Sequence, residues 1–225
     1  MNLLRIDKQI VDERIEIPAG ETGIMNLVTF DTGSPCKIEI KLNRGSLFNM
    51  AFADLGNWEG TLQVDVDLAE EGAEFVFHCA SVSSVNEKKR VEVNVTHNAP
   101  RTKSLVSSYG IAADNSQIRF EGCSHIVKGA VGSSTRQEAK AILFDPLSQG
   151  FCSPVLKIDE NDIEASHAAS VGKVNEDHLF YLRSRGLTLE EARRLIVLGY
   201  LKPITAYFFD ESIKERIVES VEKVV

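Results

Sequence analysis

His167 sits in the stretch Ala165-Ser166-His167-Ala168-Ala169-Ser170, ringed by small residues. Such neighbours let a second backbone come close to the imidazole, which suits a metal or cluster ligand at a tight interface. The same stretch suits a hydrogen-bonded histidine at a join between two structural units, and both readings stand. Cys123 and His125 are two apart, so on a strand they share one face. With further ligands from neighbouring strands they would form an iron or zinc site. The plain alternative makes Cys123 a small buried hydrophobe and His125 a surface residue. His78 and Cys79 are adjacent and point to opposite faces of a strand, while His97 and Cys152 stand alone. Glu164 precedes His167 by three residues, and Asp159, Glu160 and Asp162 lie just upstream; these acids read as a solvated corner.

Several familiar chemistries are missing. The sequence has no Walker A loop, no GxGxxG after a strand, no GxSxG and no HExxH. ATP hydrolysis by the chain itself is therefore not expected. Nor is there an HxH followed by a downstream glutamate and histidine, the pattern a metallo-cupin would need.

The elements that must position these residues change character along the chain. Residues 36–42, 61–68, 74–79 and 90–95 alternate apolar and polar, the period of half-buried strands. Further strand-like pieces cover 26–30, 46–52, 104–110, 117–122, 124–131 and 139–144, with turn signals between them. Small and polar residues crowd 106–117 and 128–140, where stacked coils can turn corners, and Asn-Gly or Asp-Gly hairpin signals are missing. These two features favour a β-helix over a sandwich, although no fixed repeat is visible. After Gly172 the period becomes helical. Asn175 caps a first helix and Gly186 ends it; Thr188 and Glu191 form a capping box for a second. Asp210 caps a third, with Ile213, Ile217, Val218, Val221 and Val224 on one stripe. The expected organisation is a β domain over 1–171 and a helical domain over 172–225.

Composition sets the broad class. With 43% hydrophobic residues in 225, the chain can bury a real core without disulfide staples. Its net charge of -8 argues against non-specific nucleic-acid binding, which needs a basic face. No apolar run is long enough for a membrane span, and the first residues lack the apolar region of a signal peptide, so a cytoplasmic protein is expected. The four cysteines lie far apart without a CxxC pair, as free thiols in a reducing compartment would.

From Pro154 onward the sequence resembles the SufB/SufD family, the scaffold subunits of the Suf iron–sulfur cluster assembly machine. The resemblance rests on Pro154-x-Leu156-x-Ile158, then ASHAASVGK, LFYLRSRG and EEARRLI in unbroken order, with Gly199-Tyr200 after them. Upstream, His97-x-Ala99-Pro100-x-Thr102-x-Ser104, Phe120-x-Gly122 and Lys128-Gly129-Ala130 also resemble the family's later coils. The similarity runs from about His97 to Tyr200; before His97 the strands are only compatible with it.

The resemblance implies a right-handed parallel β-helix followed by a small C-terminal α-helical domain. It implies a non-catalytic scaffold on which an iron–sulfur cluster is transiently assembled. Two subunits, as a homodimer or with a paralogous SufB/SufD-type partner, would pair through their β-helices. Each helical domain would dock an ABC-type, SufC-like ATPase whose cycle reshapes the interface. A sulfur donor and recipient apo-proteins complete the implied partners. His167 matches the histidine that SufD-type subunits place at the interface as a cluster ligand. SufB-type subunits follow theirs with glutamate, where this sequence has Ala168. The SufB-type cysteine falls, counting back from Pro154, near Ser148, so Cys152 is a second-choice ligand and Glu164 a further one. Phe180 and Tyr181, partly free beside a core-facing Leu179 and Leu182, join Arg183, Arg185, Arg193 and Arg194 as the expected ATPase-docking surface. Larger relatives carry a helical region ahead of the β-helix; here the first strand is expected near Glu13. The competing readings are a metal-dependent β-helix enzyme using Cys123 and His125, and a structural ATPase adaptor with no cluster of its own.

Overall fold

The computed structural model describes residues 1–7 and 12–222. Thirteen strands coil among the described residues, each pairing in parallel with the strand two places on in the chain. One sheet holds β1 (Asn2–Ile6), β3 (Thr22–Thr29), β5 (Leu47–Asp54), β7 (Glu74–Ser83), β9 (Lys103–Ala112), β11 (Ser133–Leu143) and β13 (Ile163–Lys173). The other holds β2 (Glu13–Ile17), β4 (Cys36–Leu42), β6 (Gly60–Leu68), β8 (Lys88–His97), β10 (Gln117–Ile126) and β12 (Gln149–Ile158). The result is a β-solenoid whose two sheets enclose a filled bore. The first strand lies eleven residues ahead of the one expected near Glu13, and its partner register with β3 is unbroken.

Alternation makes this fold. In β4, Cys36, Ile38, Ile40 and Leu42 are buried inward while Lys37, Glu39 and Lys41 face water. Parallel in-register stacking then sets like on like, so that Ile38 meets Val64 and Leu42 meets Leu68. The corners are held by a hydrogen-bond ladder from Gly20 N to Arg44 O, Gly45 N to Glu71 O, Gly72 N to Pro100 O, Arg101 N to Val131 O and Gly132 N to Asp162 O. Each residue donating that N–H has a positive φ, from 55° at Arg101 to 72° at Gly20 and Gly72. The turns are not of equal length. Thr22 pairs with Leu47 at an offset of 25, Leu47 with Glu74 at 27, Glu74 with Lys103 at 29 and Ser134 with Lys103 at 31. The next offset, Ser133 to Ile163, is 30, and a repeat whose length varies from coil to coil has no fixed period to read.

Two stretches of small and polar residues that read as corners are partly strand. Ser107 and Ser108 are buried in mid-β9, and residues 133–140 lie in β11; separately, residues 117–126, expected to belong to two strands, form one. At the corner near the first coils, Lys89 is buried against Asp54 at 3.2 Å and donates to the carbonyls of Gly56 and Val82. Asp54 also accepts from Thr29, Trp58 and Ser81, so the buried pair is fully satisfied.

The helices begin as their caps predict. Asn175 accepts from Asp177 N and His178 N to open α1 (Glu176–Ser184), Thr188 and Glu191 form a capping box for α2 (Leu189–Leu201), and Asp210 caps α3 (Glu211–Val221). A 3₁₀ segment, Lys202–Tyr207, joins α2 to α3. Ile213, Ile217 and Val221 form the buried stripe of α3, with Val218 half-buried; Val224, read on that stripe, lies outside the described residues. These helices fold back over the outer face of the seven-stranded sheet. Val28, Ala51, Ala53, Ala80, Val82, Ile111 and Ile142 share a second buried cluster with Leu179, Ala192, Val197, Leu201, Ile204, Ile213 and Ile217. Asn26, fully buried in mid-β3, clasps the segment by donating to Tyr207 O and accepting from Phe209 N, both at 3.0 Å. His78 stacks on the Tyr207 ring at 3.5 Å between centroids. The strand-to-helix boundary falls after Lys173, so the ASHAASVGK stretch is the last strand of the solenoid rather than a joint beyond it.

Candidate functional site

Among the described residues each sheet ends on a free edge at both ends of the solenoid: β1 and β2 at the first coil, and at the last coil β12, which pairs only with β10, and β13, which pairs only with β11. The last-coil edge strands are ten and eleven residues long, among the longest in the molecule. A free edge presents a row of unpaired backbone donors and acceptors that another strand can complete.

The unbroken β11–β13 register fixes where the side chains point. His167 stands beside Gln137, which is buried in the bore, so the imidazole faces the bore at its open end. Glu164 stands beside Ser134 and, three residues from His167 on a strand, faces the outside. Glu164 therefore does not share a site with His167 within one chain; the spacing that brings residues together on a helix separates them on a strand. Cys152 stands beside Phe120, a core residue, and so faces the bore from the opposite sheet. Its thiol reaches Ser170 O at 3.6 Å, three residues along β13 from His167, or roughly 10 Å of strand. Burial pushes the Cys152 thiol up to about 11, so it is protonated at neutral pH. Ser148, at the expected SufB-type cysteine place, is buried in a corner; its hydroxyl donates to Asp145 and accepts from Ser116 N.

Behind this mouth the bore turns polar. His97 is fully buried, its Nδ1 2.8 Å from Thr102 Oγ1 and its Nε2 2.9 Å from Ser104 Oγ. Ser104 continues to Thr135 at 2.7 Å, and Thr102 to Ser133 at 2.9 Å. Burial lowers the His97 imidazole to about 4, so the ring is neutral and bonded on both nitrogens. Gln137 Nε2 donates to Ser124 Oγ at 2.6 Å and to Val155 O at 3.3 Å. Gln137 and the hydroxyl chain were not found as functional residues from the sequence. A signal was present: His97, Thr102 and Ser104 of one motif are bonded to one another.

The other expected residues are placed as follows. His125 lies on the outer face and pairs with Asp159 at 2.7 Å, holding that carboxyl below its ordinary range. Cys123, half-buried, instead receives its order from a backbone bond to Asn94. Among the described residues no three histidine, cysteine or acidic side chains gather as a ready metal site. Glu160 is buried and accepts from Gly129 N and Asn161 N, which holds its carboxyl down to about 2; it staples the last corner. On α1, Leu179 is buried while Phe180 and Tyr181 are 76% and 55% exposed. Arg185 stands over the Tyr181 ring at 5.3 Å, and Arg183 is exposed beside it. Arg193 and Arg194 are half-buried, and Arg194 pairs with Glu190 along its own helix. On α2, Leu189 and Leu195 are also exposed apolar residues, each by more than two-fifths.

Comparison with known proteins matches residues 7–200 to the SUF system FeS cluster assembly, SufBD core domain. The iron–sulfur cluster assembly protein SufD of Bacillus subtilis is 34% identical over 131 residues, 58% of this chain and 30% of that protein. SufB of the same organism is 30% identical over 138 residues, 61% of this chain and 30% of that protein. An iron–sulfur cluster assembly SufBD family protein of Mycobacterium tuberculosis is 39% identical over 108 residues, 48% of this chain and 13% of that protein. The chain thus spans less than a third of the length of these relatives. No helix among the described residues is long and apolar enough to cross a membrane.

Proposed function

The chain belongs to the SufBD core family, and on that premise we propose that it is a non-catalytic scaffold for iron–sulfur cluster assembly. The observation that carries the reading is the free end of the solenoid, where two long edge strands turn His167 and Cys152 into the mouth of the bore. A second subunit, a copy or a paralogue, completes both edges by adding antiparallel strands, so that two bores meet face to face. Each chain then supplies an imidazole and a thiol to one enclosed, polar space. A single chain offers too few ligands for a cluster; a pair, with a thiol from a sulfur donor or recipient protein, offers enough. The iron–sulfur cluster is cargo here, built and passed on.

The helical segment is the docking surface for an ABC-type ATPase. Exposed Phe180 and Tyr181 beside Arg183 and Arg185 have the aromatic and arginine character of an interface centre. Because the helices share a core with the sheet that ends in β13, a pull on them is felt by the strand that carries His167. Co-expression with a SufC-like ATPase tests this. The two proteins are expected to co-purify, and Phe180→Ala with Tyr181→Ala to weaken the pair at least tenfold while leaving the far-ultraviolet circular dichroism unchanged. Absence of any complex with the wild-type chain contradicts the proposal.

A further inference from the structure

Beside the free edge of β13, between the outer face of the sheet and the helices, lies a pocket of about 340 Å³. Lys140, Lys173, His178, Asn175, Ser170 and Tyr200 supply its polar lining, and no acidic residue lines it. That is unusual in a chain of net charge -8, most of whose lysines and arginines are paired with acids. Lys140 Nζ donates to Tyr200 Oη at 3.0 Å and stands 4.5 Å from that ring's centre; among the described residues it pairs with no carboxylate. The nearest acid on its own face, Glu138, is engaged by Arg136. The floor is open, because a side chain built on Gly172 would meet nothing within 4 Å.

The same strand carries an acid with no cation. Glu164 is exposed on the outer face, and among the described residues it pairs with no lysine or arginine. Antiparallel pairing of β13 with its own copy brings these two features together. If all of Ile163–Lys173 is paired, the two-fold axis passes through Ala168, the middle of the strand. Residues 164 and 172 are then directly opposed on the outer face, about 5 Å apart between Cβ positions. A centre one residue earlier, at His167, opposes 164 to Ser170 instead, which stands beside Lys140 in the sheet. Gly172 and Ser170 both line the pocket.

We propose that this pocket receives Glu164 of a second copy of the chain, twice per pair, and that the contact selects the partner and its register. The inference rests on the edge pairing described above. It adds a specific acid, a specific receptor and the prediction that the chain recognises itself. Ser170 and Gly172 are small because the incoming carboxylate needs the space that a larger side chain would fill. Moving the centre back to Ser166 opposes residue 164 to Ala168, which does not line the pocket, so the contact disfavours pairs slipped in that direction.

Two charge reversals test it by sedimentation equilibrium on the full chain at low salt. Glu164→Lys is expected to weaken self-association at least tenfold, and Lys140→Glu likewise. An equimolar mixture of the two variants restores both contacts at once, so it is expected to pair within about threefold of the wild-type affinity. High salt shrinks all of these differences. Circular dichroism checks that each variant is folded, and Lys140→Met, which removes the charge but keeps the bulk, gives an independent loss if Lys140→Glu disturbs the helices. If Glu164→Lys associates as tightly as the wild type, or the mixture gains nothing, the pocket inference is wrong while edge pairing stands. If the wild-type chain stays monomeric at the highest concentration reached, both fail.

Discussion

One inner column of the solenoid runs Met25, Met50, Phe77, Val106, Gln137, His167, each residue in register with the next. Its first three members are buried, apolar and large; its last two are polar, and His167 is exposed at the free end. A second column makes the same change, from Phe48 and Phe75 to Ser104, Thr135 and Ala165. The pairing stays parallel and in register along the way, while the strands lengthen from five residues in β1 to eleven in β13. The early coils use the bore to bury apolar surface, with stacked Phe48, Phe75 and Phe77 rings at 6.5 Å spacing. The late coils use it to hold hydrogen-bonded side chains behind an unsealed mouth. One architecture therefore carries a stability store at one end and an open, polar-lined mouth at the other.

Substitutions within the shared column expose the difference most strongly. Phe77→Ala is expected to cost about 4 kcal/mol in urea denaturation, the loss of a large side chain from a packed interior. A loss below about 1 kcal/mol there would mean that the early bore is loosely packed and that the contrast between the ends is false.

Acid is expected to act next, through the polar coils. His97 is held down to about 4 in the fold, whereas in the unfolded chain it takes up a proton near 6.5. Between those values the unfolded state binds the extra proton, so stability falls as pH drops from about 6.5 to about 4 and then stops falling on this account. The loss from His97 is on the order of 3 kcal/mol. His78, also lowered to about 4 by burial, adds less because its ring is partly wet. Urea midpoints at pH 7 and pH 4.5 measure the sum, and His78→Phe separates the two rings by removing only the smaller part.

The smallest effect is the most diagnostic. His167→Ala is expected to change stability by less than about 0.5 kcal/mol, since the ring is exposed and the resolved hydrogen bonds do not include it. A large loss would make His167 a structural residue and close the column at its far end.

The legible parts of the fold were those with strict periods. Alternation marked β4, β6 and β8 within two residues of their ends, and the helix caps at Asn175, Thr188 and Asp210 stood where side-chain chemistry places them. The coils were harder, because the offset between paired strands varies from 22 to 32 residues and leaves no repeat. β13 was hardest. Its run of alanine, serine and glycine shows no alternation, because a strand at an unsealed end has neither a full core on one face nor full solvent on the other. Reading it as a joint made Glu164 a companion of His167; as a strand it points the other way. The polar bore was hidden for a related reason. Serine and threonine within strands read as corners until register shows them bonded across coils.

The proposed scaffold role places the gathering of iron and sulfide at the open end of the bore. Bound iron and acid-labile sulfide per chain, after anaerobic reconstitution with ferrous iron and sulfide, test it most directly. The wild type is expected to hold both and develop a visible chromophore, and His167→Ala to hold less than a third as much while remaining folded. If His167→Ala binds as much iron and sulfide as the wild type, the mouth of the bore is not the assembly site, and an adaptor role without a cluster becomes the better reading.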